Sequence, residues 1–489
     1  MQPAWWLAIA LLAILYFSGL STAGLLGPDE PRYASVGREM ARSGDWITPR
    51  LWGQPWFEKP ALLYWMTAAA FDLGLGEDLA PRVPVALLSV LFLIFFHWIL
   101  SRQFGPRAAA IATLILATSA AWLGYSFIGA TDLPMSAAFS AAMLLSLDWL
   151  ATGDRRRLPL CAGLLGVAVL AKGLVPLVLT LPLLFCARRR WRDLVRWPVL
   201  GAFALIALPW YLLCSWRNGS TFLRTFFWEQ HFGRFTTTAL AHPQPFWFYL
   251  PVLAGALLPW TPLLLLLAQP SLYKSKEGAS DSRRRFLLLW LLFGLLFFSL
   301  SKNKLPGYLL PLVPAAAALM GIAFAEARRV RWALPAVALC LIVIPAALPI
   351  VPRALASGLS RASMTKFQWT WLLPVVLALA IGWLERRGRR TAAWIIMASV
   401  LAVTVTVLKL IGLPAIDRAY SARPLWREIS ARRNDVCIAR MHRSWRYGLN
   451  YYSTTPLPDC SQSPRRLEIV QEPGSPPEVR AASRAPNAP

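Results

Sequence analysis

Of 489 residues, 57% are hydrophobic and only 15% are charged, and the mean hydropathy is +0.48. A soluble chain of this length has no way to bury that much apolar surface, whereas roughly 20 consecutive apolar residues cross a bilayer. The formal charge of +26 is concentrated in short tracts between apolar segments, at 155–157, 188–196, 274–285, 328–331 and 386–390. That is the pattern of cytoplasmic loops touching anionic lipid, and it excludes a nucleic-acid-binding face.

In chain order, the first apolar stretch (3–20) lacks a basic n-region and reads as an uncleaved first span. A long external loop at 22–81 follows. Its Pro28-Asp29-Glu30-Pro31 opens a helix with acidic residues and proline in the first turn, and Ser43-Gly44 closes it. A second helix start falls at Lys59-Pro60. With Trp46, Trp52, Trp56, Phe57, Tyr64 and Trp65, the loop has the aromatic surface of two helices lying at the headgroup layer.

Further spans or span cores are expected at 83–100, 133–150, 197–214, 249–267, 286–300, 333–351 and 392–411, and 158–187 is long enough for a tight pair. Alternating basic loops with apolar spans gives about 13 transmembrane helices, an all-α polytopic membrane protein with juxtamembrane helices in the first external loop. Residues 1–413 form the membrane domain. Residues 414–489 form a small extracytoplasmic domain, where Cys437 and Cys460 are expected to be bonded and the stretch beyond Pro464 to be disordered. The other four cysteines lie in or beside spans, as small packing residues.

Charges beside apolar spans are costly, and those outside the basic tracts recur mostly at the outer ends. They include Asp29, Glu30, Arg32, Glu58, Lys59, Asp132, Lys172, His231, Lys302 and Lys304. Carboxylates, a histidine and several cations on one face suit an anionic, lipid-borne substrate.

Asp29-Glu30-Pro31-Arg32-Tyr33, Arg38-Glu39-Met40, Gly44-Asp45-Trp46 and Phe57-Glu58-Lys59-Pro60 stand in the order and spacing of a known family. Thr131-Asp132-Leu133-Pro134, Lys172-Gly173, Glu229-Gln230-His231-Phe232-Gly233 and Ser301-Lys302-Asn303-Lys304 continue the match. The chain resembles the bacterial aminoarabinose transferases, within the protein O-mannosyltransferase-like branch of C-type glycosyltransferases. The likeness is good over roughly the first three hundred residues and loose in the tail.

The resemblance implies an inner-membrane enzyme with its site on the periplasmic face. The donor would be a polyisoprenyl-phosphate sugar, for instance aminoarabinose. The acceptor would be a lipid such as lipid A, a protein hydroxyl or another envelope glycan. Asp29 takes the catalytic position, with Asp132 a second catalytic candidate or a helix cap. Displacing a lipid phosphate from an anomeric carbon needs a base or orienter for the nucleophile and positive charge at the leaving group. Arg32, Lys59, Lys172, Lys302 and Lys304 are the candidates for that charge. Glu58 and His231 are implied as ligands of a divalent metal such as zinc, with a hydrogen-bonded pair as the alternative. A transporter or flippase for lipid-linked sugars is the rival of another class. It calls for charges near the bilayer midplane and paired broken helices, and the sequence has no internal repeat.

Overall fold

A computed structural model describes residues 3–233, 244–273, 281–327, 330–347, 350–351, 367–472 and 475–482. Apolar helices dominate. Among the described residues, six are long and apolar enough to cross a membrane: Val83–Phe104, Asp132–Thr152, Trp197–Glu229, Pro306–Glu326, Trp369–Arg386 and Arg390–Tyr420. A bent pair, Phe246–Ala256 and Thr261–Ala268, makes a seventh if counted as one span. Pro106–Thr118, Leu158–Lys172 and Val175–Cys186 are apolar but shorter. The expected count of 13 is not reached on these criteria.

Two of the expected spans are interrupted. The continuous span expected at 249–267 is two pieces meeting at 114°, with Pro259 in the break, where it can neither donate an N–H nor continue the helix. The span expected at 333–351 appears as Ala333–Cys340 and Val343–Ala347. Residues 158–187 break at Gly173, whose φ of 88° is open to glycine, into the shorter helical pieces Leu158–Lys172 and Val175–Cys186.

Asp132–Thr152 and Val313–Glu326 lie at the centre, buried along most of their length. Their small side chains explain the position. Ala315, Ala316, Ala317 and Ala318 are all buried, and a Cβ added to Gly321 would stand 2.5 Å from that of Ala112. Close backbone approach through small residues is how apolar helices gain packing where no hydrophobic drive separates them from lipid.

The segment between the first helix and Val83 carries the two expected helices, with an unexpected hairpin between them, and buries Phe57 and Tyr64 rather than presenting them on its surface. A helix runs Asp29–Ser43 and ends where Gly44 turns left-handed (φ 66°), its N–H returning to the carbonyl of Met40. A hairpin of Arg50–Leu51 and Gln54–Pro55 follows, then the helix Leu62–Asp72.

The tail is not all helical, and the all-α expectation is corrected here. Val436–Arg440 pairs parallel with Leu467–Val470, which pairs antiparallel with Glu478–Ala481. Val436, Ile438 and Ile469 are buried, the β-branched packing that favours strands. The last two strands occupy part of the stretch expected to be disordered. Cys437 and Cys460 are bonded. This sheet and the helix Arg443–Tyr452 share a hydrophobic cluster with Leu25 and Ala34, so the tail packs onto the segment that carries Asp29.

Candidate active site

Asp29 and Glu30 begin one helix and face different surroundings. Glu30 is 1% exposed. Its two oxygens accept from Arg82 Nε at 2.7 Å and Nη2 at 2.8 Å, and from the backbone N–H groups of Leu26 at 2.7 Å and Gly129 at 2.8 Å. Arg82 also donates to the carbonyls of Leu20 (2.7 Å), Ala23 (2.5 Å) and Gly24 (2.9 Å). Burial works against the Arg82 charge, and Glu30 outweighs it and holds the pKa above the ordinary arginine value. This knot ties the loop before Asp29 to the loop before Asp132, bringing two sequence motifs to one place.

Pro28 occupies the N-cap and Asp29 is the first residue of the helix. Its side chain is 54% exposed and pairs with Arg32, Nη2 to Oδ1, at 2.5 Å. The same nitrogen meets Glu58 Oε2 at 2.9 Å, and Lys59 Nζ lies 3.4 Å from Glu58 Oε1. A chain of alternating charge therefore runs Asp29, Arg32, Glu58, Lys59, open to solvent at the aspartate and buried at Glu58. Burial opposes the Arg32 charge, but Glu58, Tyr33 and Asp29 more than offset it and raise its pKa. Burial and Glu58 also push the Tyr33 and Tyr64 hydroxyls well above their usual range, keeping both protonated.

The second pair is Lys172 with Asp132, joined Nζ to Oδ1. The ammonium sits 5.2 Å from the centre of the Tyr308 ring. Gly307 makes room here, since an added Cβ would clash with the Tyr125 hydroxyl and stand 2.8 Å from Asp132 Oδ1. The charges of both Asp132 and Asp29 act on Tyr125, which places the two clusters within electrostatic reach of each other.

The remaining candidates stand apart. Lys304 is buried and donates to the carbonyls of Ser301 and, at 3.1 Å, Gln244. Lys302 is exposed, and neither lysine forms an ion pair among the described residues. The His231 side chain lies outside the described residues. Among them no group of three or more His, Cys, Asp or Glu side chains is placed to hold a metal. Glu58, a single carboxylate already facing two cations, is short of the three or four ligands zinc takes.

Four aromatic neighbours were not read as part of the site. Arg32 lies 5.3 to 5.4 Å from the ring centres of Tyr33, Trp56 and Tyr447, and Trp52 stacks on Tyr447 at 5.6 Å. The only hint in the sequence is aromatic density, in the first loop and in Trp445–Tyr452.

Residues 58–214 match the family model for dolichyl-phosphate-mannose-protein mannosyltransferase. The crystal structure of ArnT from Cupriavidus metallidurans bound to undecaprenyl phosphate superposes with a TM-score of 0.73 at 26% identity, covering 94% of this chain and 86% of that one. The archaeal oligosaccharyltransferase AglB from Archaeoglobus fulgidus shares the fold alone, with a TM-score of 0.53 at 14% identity, over 94% of this chain and 64% of that one. The fold is thus one found among membrane glycosyltransferases that handle polyprenyl carriers. Within it, the chain is a relative of the aminoarabinose transferases, as its motifs indicated. It is 34% identical over 342 residues to the undecaprenyl phosphate-alpha-4-amino-4-deoxy-L-arabinose arabinosyl transferase of Pseudomonas paraeruginosa, and 35% identical over 332 residues to that of Edwardsiella ictaluri. These matches cover 67% and 65% of this chain, and 61% and 59% of the relatives' own length.

Proposed function

We propose that the protein moves a sugar of the 4-amino-4-deoxy-L-arabinose type from a polyisoprenyl-phosphate carrier to an acceptor such as lipid A, at the outer face of the bacterial inner membrane. The observation that carries this reading is the Asp29–Arg32–Glu58–Lys59 chain, an exposed carboxylate beside buried cations. Its residues lie in the motifs Asp29–Tyr33 and Phe57–Pro60, whose order and spacing resemble those of the aminoarabinose transferases. The outer placement rests on the basic tracts, which assign the opposite ends of the helices to the cytoplasm. The same reasoning supports about 13 spans and an extracytoplasmic domain at 414–489.

In the reaction, an acceptor oxygen bonds to the anomeric carbon as the bond from that carbon to the lipid phosphate oxygen breaks, with inversion. The phosphate leaves on its lipid as an anion. Asp29 removes the proton of a hydroxyl acceptor, or orients an acceptor phosphate that needs no base. Arg32, Lys59 and Lys172 supply positive charge where negative charge grows on the leaving oxygen. Asp132 holds Lys172 in place. Lys302 and Lys304 are reserve contacts for the carrier. Glu58 and His231 are the proposed metal pair. Metal analysis of the purified protein before and after chelation tests them, and no step above depends on that metal.

The test of the whole reading is a screen of purified protein in lipid against polyprenyl-phosphate-linked sugars, following sugar released from the carrier. Consumption of an aminoarabinose donor supports it. Uptake of intact lipid-linked sugar into proteoliposomes without release identifies a transporter and ends it.

A further inference from the structure

Tyr447 comes from the far end of the chain, yet its ring centre lies 5.3 Å from the Arg32 guanidinium, with Trp56 at the same distance. Its own helix is held by the first loop. Arg38 Nη2 donates to the Tyr451 carbonyl at 2.7 Å, the Tyr451 hydroxyl to the Glu77 carbonyl at 2.7 Å, and the Tyr452 hydroxyl to Asp78 Oδ1 at 2.7 Å. Trp52, which stacks on Tyr447, sits at φ 54°. A bulky residue rarely adopts that left-handed conformation unless its surroundings impose it, and such outliers gather at functional sites.

In the cluster of Arg32, Trp56, Tyr447 and Trp52, three N–H groups are buried without an acceptor among the described residues: Arg32 Nε, Trp52 Nε1 and Trp56 Nε1. Buried donors are nearly always paired. Three exceptions in one cluster, beside a cation and within the tail's reach, describe a place for an oxygen-rich anion. We propose that the tail completes the active site, with Tyr447 as a positioning residue for Arg32, and that Arg32 Nε and the indole N–H groups of Trp52 and Trp56 line a subsite for a phosphate oxyanion. The inference deepens the proposed function and rests on it. Both the carrier and a phosphorylated lipid acceptor offer that chemistry.

Three variants of the full chain test it, Tyr447→Ala, Tyr447→Phe and Trp56→Phe, with Tyr420→Ala as control. Tyr420 packs on Trp445 in the same unit, 6.5 Å between ring centres. Tyr447→Ala should lower kcat about tenfold, while Tyr447→Phe, which keeps the ring face, stays within about twofold. Trp56→Phe removes an N–H and keeps a ring. It should raise the KM of one substrate about fivefold. A rise for the carrier-linked sugar assigns the subsite to the carrier phosphate, and a rise for the acceptor assigns it to the acceptor phosphate.

No change in either KM overturns the subsite. A Tyr447→Phe variant as impaired as Tyr447→Ala, or a Tyr420→Ala loss matching that of Tyr447→Ala, overturns the positioning role. Polyprenyl phosphate binding by calorimetry separates the two layers of argument. Wild-type protein that transfers no sugar but binds polyprenyl phosphate more tightly than Trp56→Phe sinks the proposed function and keeps the subsite.

Discussion

The knot at Glu30 and the charge chain at Asp29 start from adjacent residues and are built on opposite plans. In the knot, both carboxylate oxygens are occupied twice and the guanidinium of Arg82 is ringed by carbonyls. Nothing is left over to bind a substrate. In the chain, Asp29 is half exposed and Arg32 Nε has no acceptor. Saturation marks a scaffold and unmet capacity marks a site, because a buried polar group is stable only when its bonds are complete.

Breaking the knot should give the largest effect. Glu30→Ala strands the Arg82 charge in the interior and should cost about 3–5 kcal/mol of stability. Thermal unfolding in detergent reads it, and an unchanged midpoint would undo the distinction between the two regions. Asp29→Asn should do the reverse, leaving that midpoint within a few degrees while turnover falls by about 10²–10⁴. Near-normal turnover removes Asp29 from both proposed roles.

Lys59→Ala sharpens the contrast. Loss of a charge that stabilises the leaving group should lower kcat and kcat/KM together by about 10²-fold. The exposed Arg386, replaced by alanine, should change neither. A rise in KM alone would reassign Lys59 to ground-state binding.

Smaller effects belong to the tail. Opening the Cys437–Cys460 bond, which spans 23 residues, should remove about 3 kcal/mol from this unit. Tryptophan fluorescence during reduction follows its loosening. Asp459 is held below the usual carboxylate range by Arg446 and Ser461. Its contribution is present above the unfolded carboxylate's pKa of about 3.9 and fades as pH falls below it. Asp459→Asn should therefore narrow the stability difference between neutral and acid pH only slightly, and a larger change near pH 7 would mean that another group is responsible.

The helix Asp29–Ser43 was legible because each of its signals is local: acidic residues and proline at the start, glycine at the stop. Long spans such as Val83–Phe104 were legible because hydropathy adds along the chain. The bend near Pro259 was hidden, since apolar composition gives the amount of helix and not its direction. The tail sheet was hidden too, because its strands are short and lie in a stretch rich in proline and arginine. Charges of the site could be named from their cost at a span end. Tyr447 could not, as nothing local distinguishes it from other tyrosines. Its place depends on how the two ends of the chain meet.

That meeting has a consequence for how the protein is made. Ribosomes release the chain from its N-terminus, so the segment with Asp29 emerges early and waits through the synthesis of every later helix. Arg423, which donates to the carbonyls of Ser21 and Thr22 and pairs with Asp78 at 2.6 Å, arrives near the end, followed by Tyr447. Until then the early segment lacks its clasp. The order of manufacture thus places the candidate site's first segment ahead of the residues that clasp it, and the site is finished only once Tyr447 has been made.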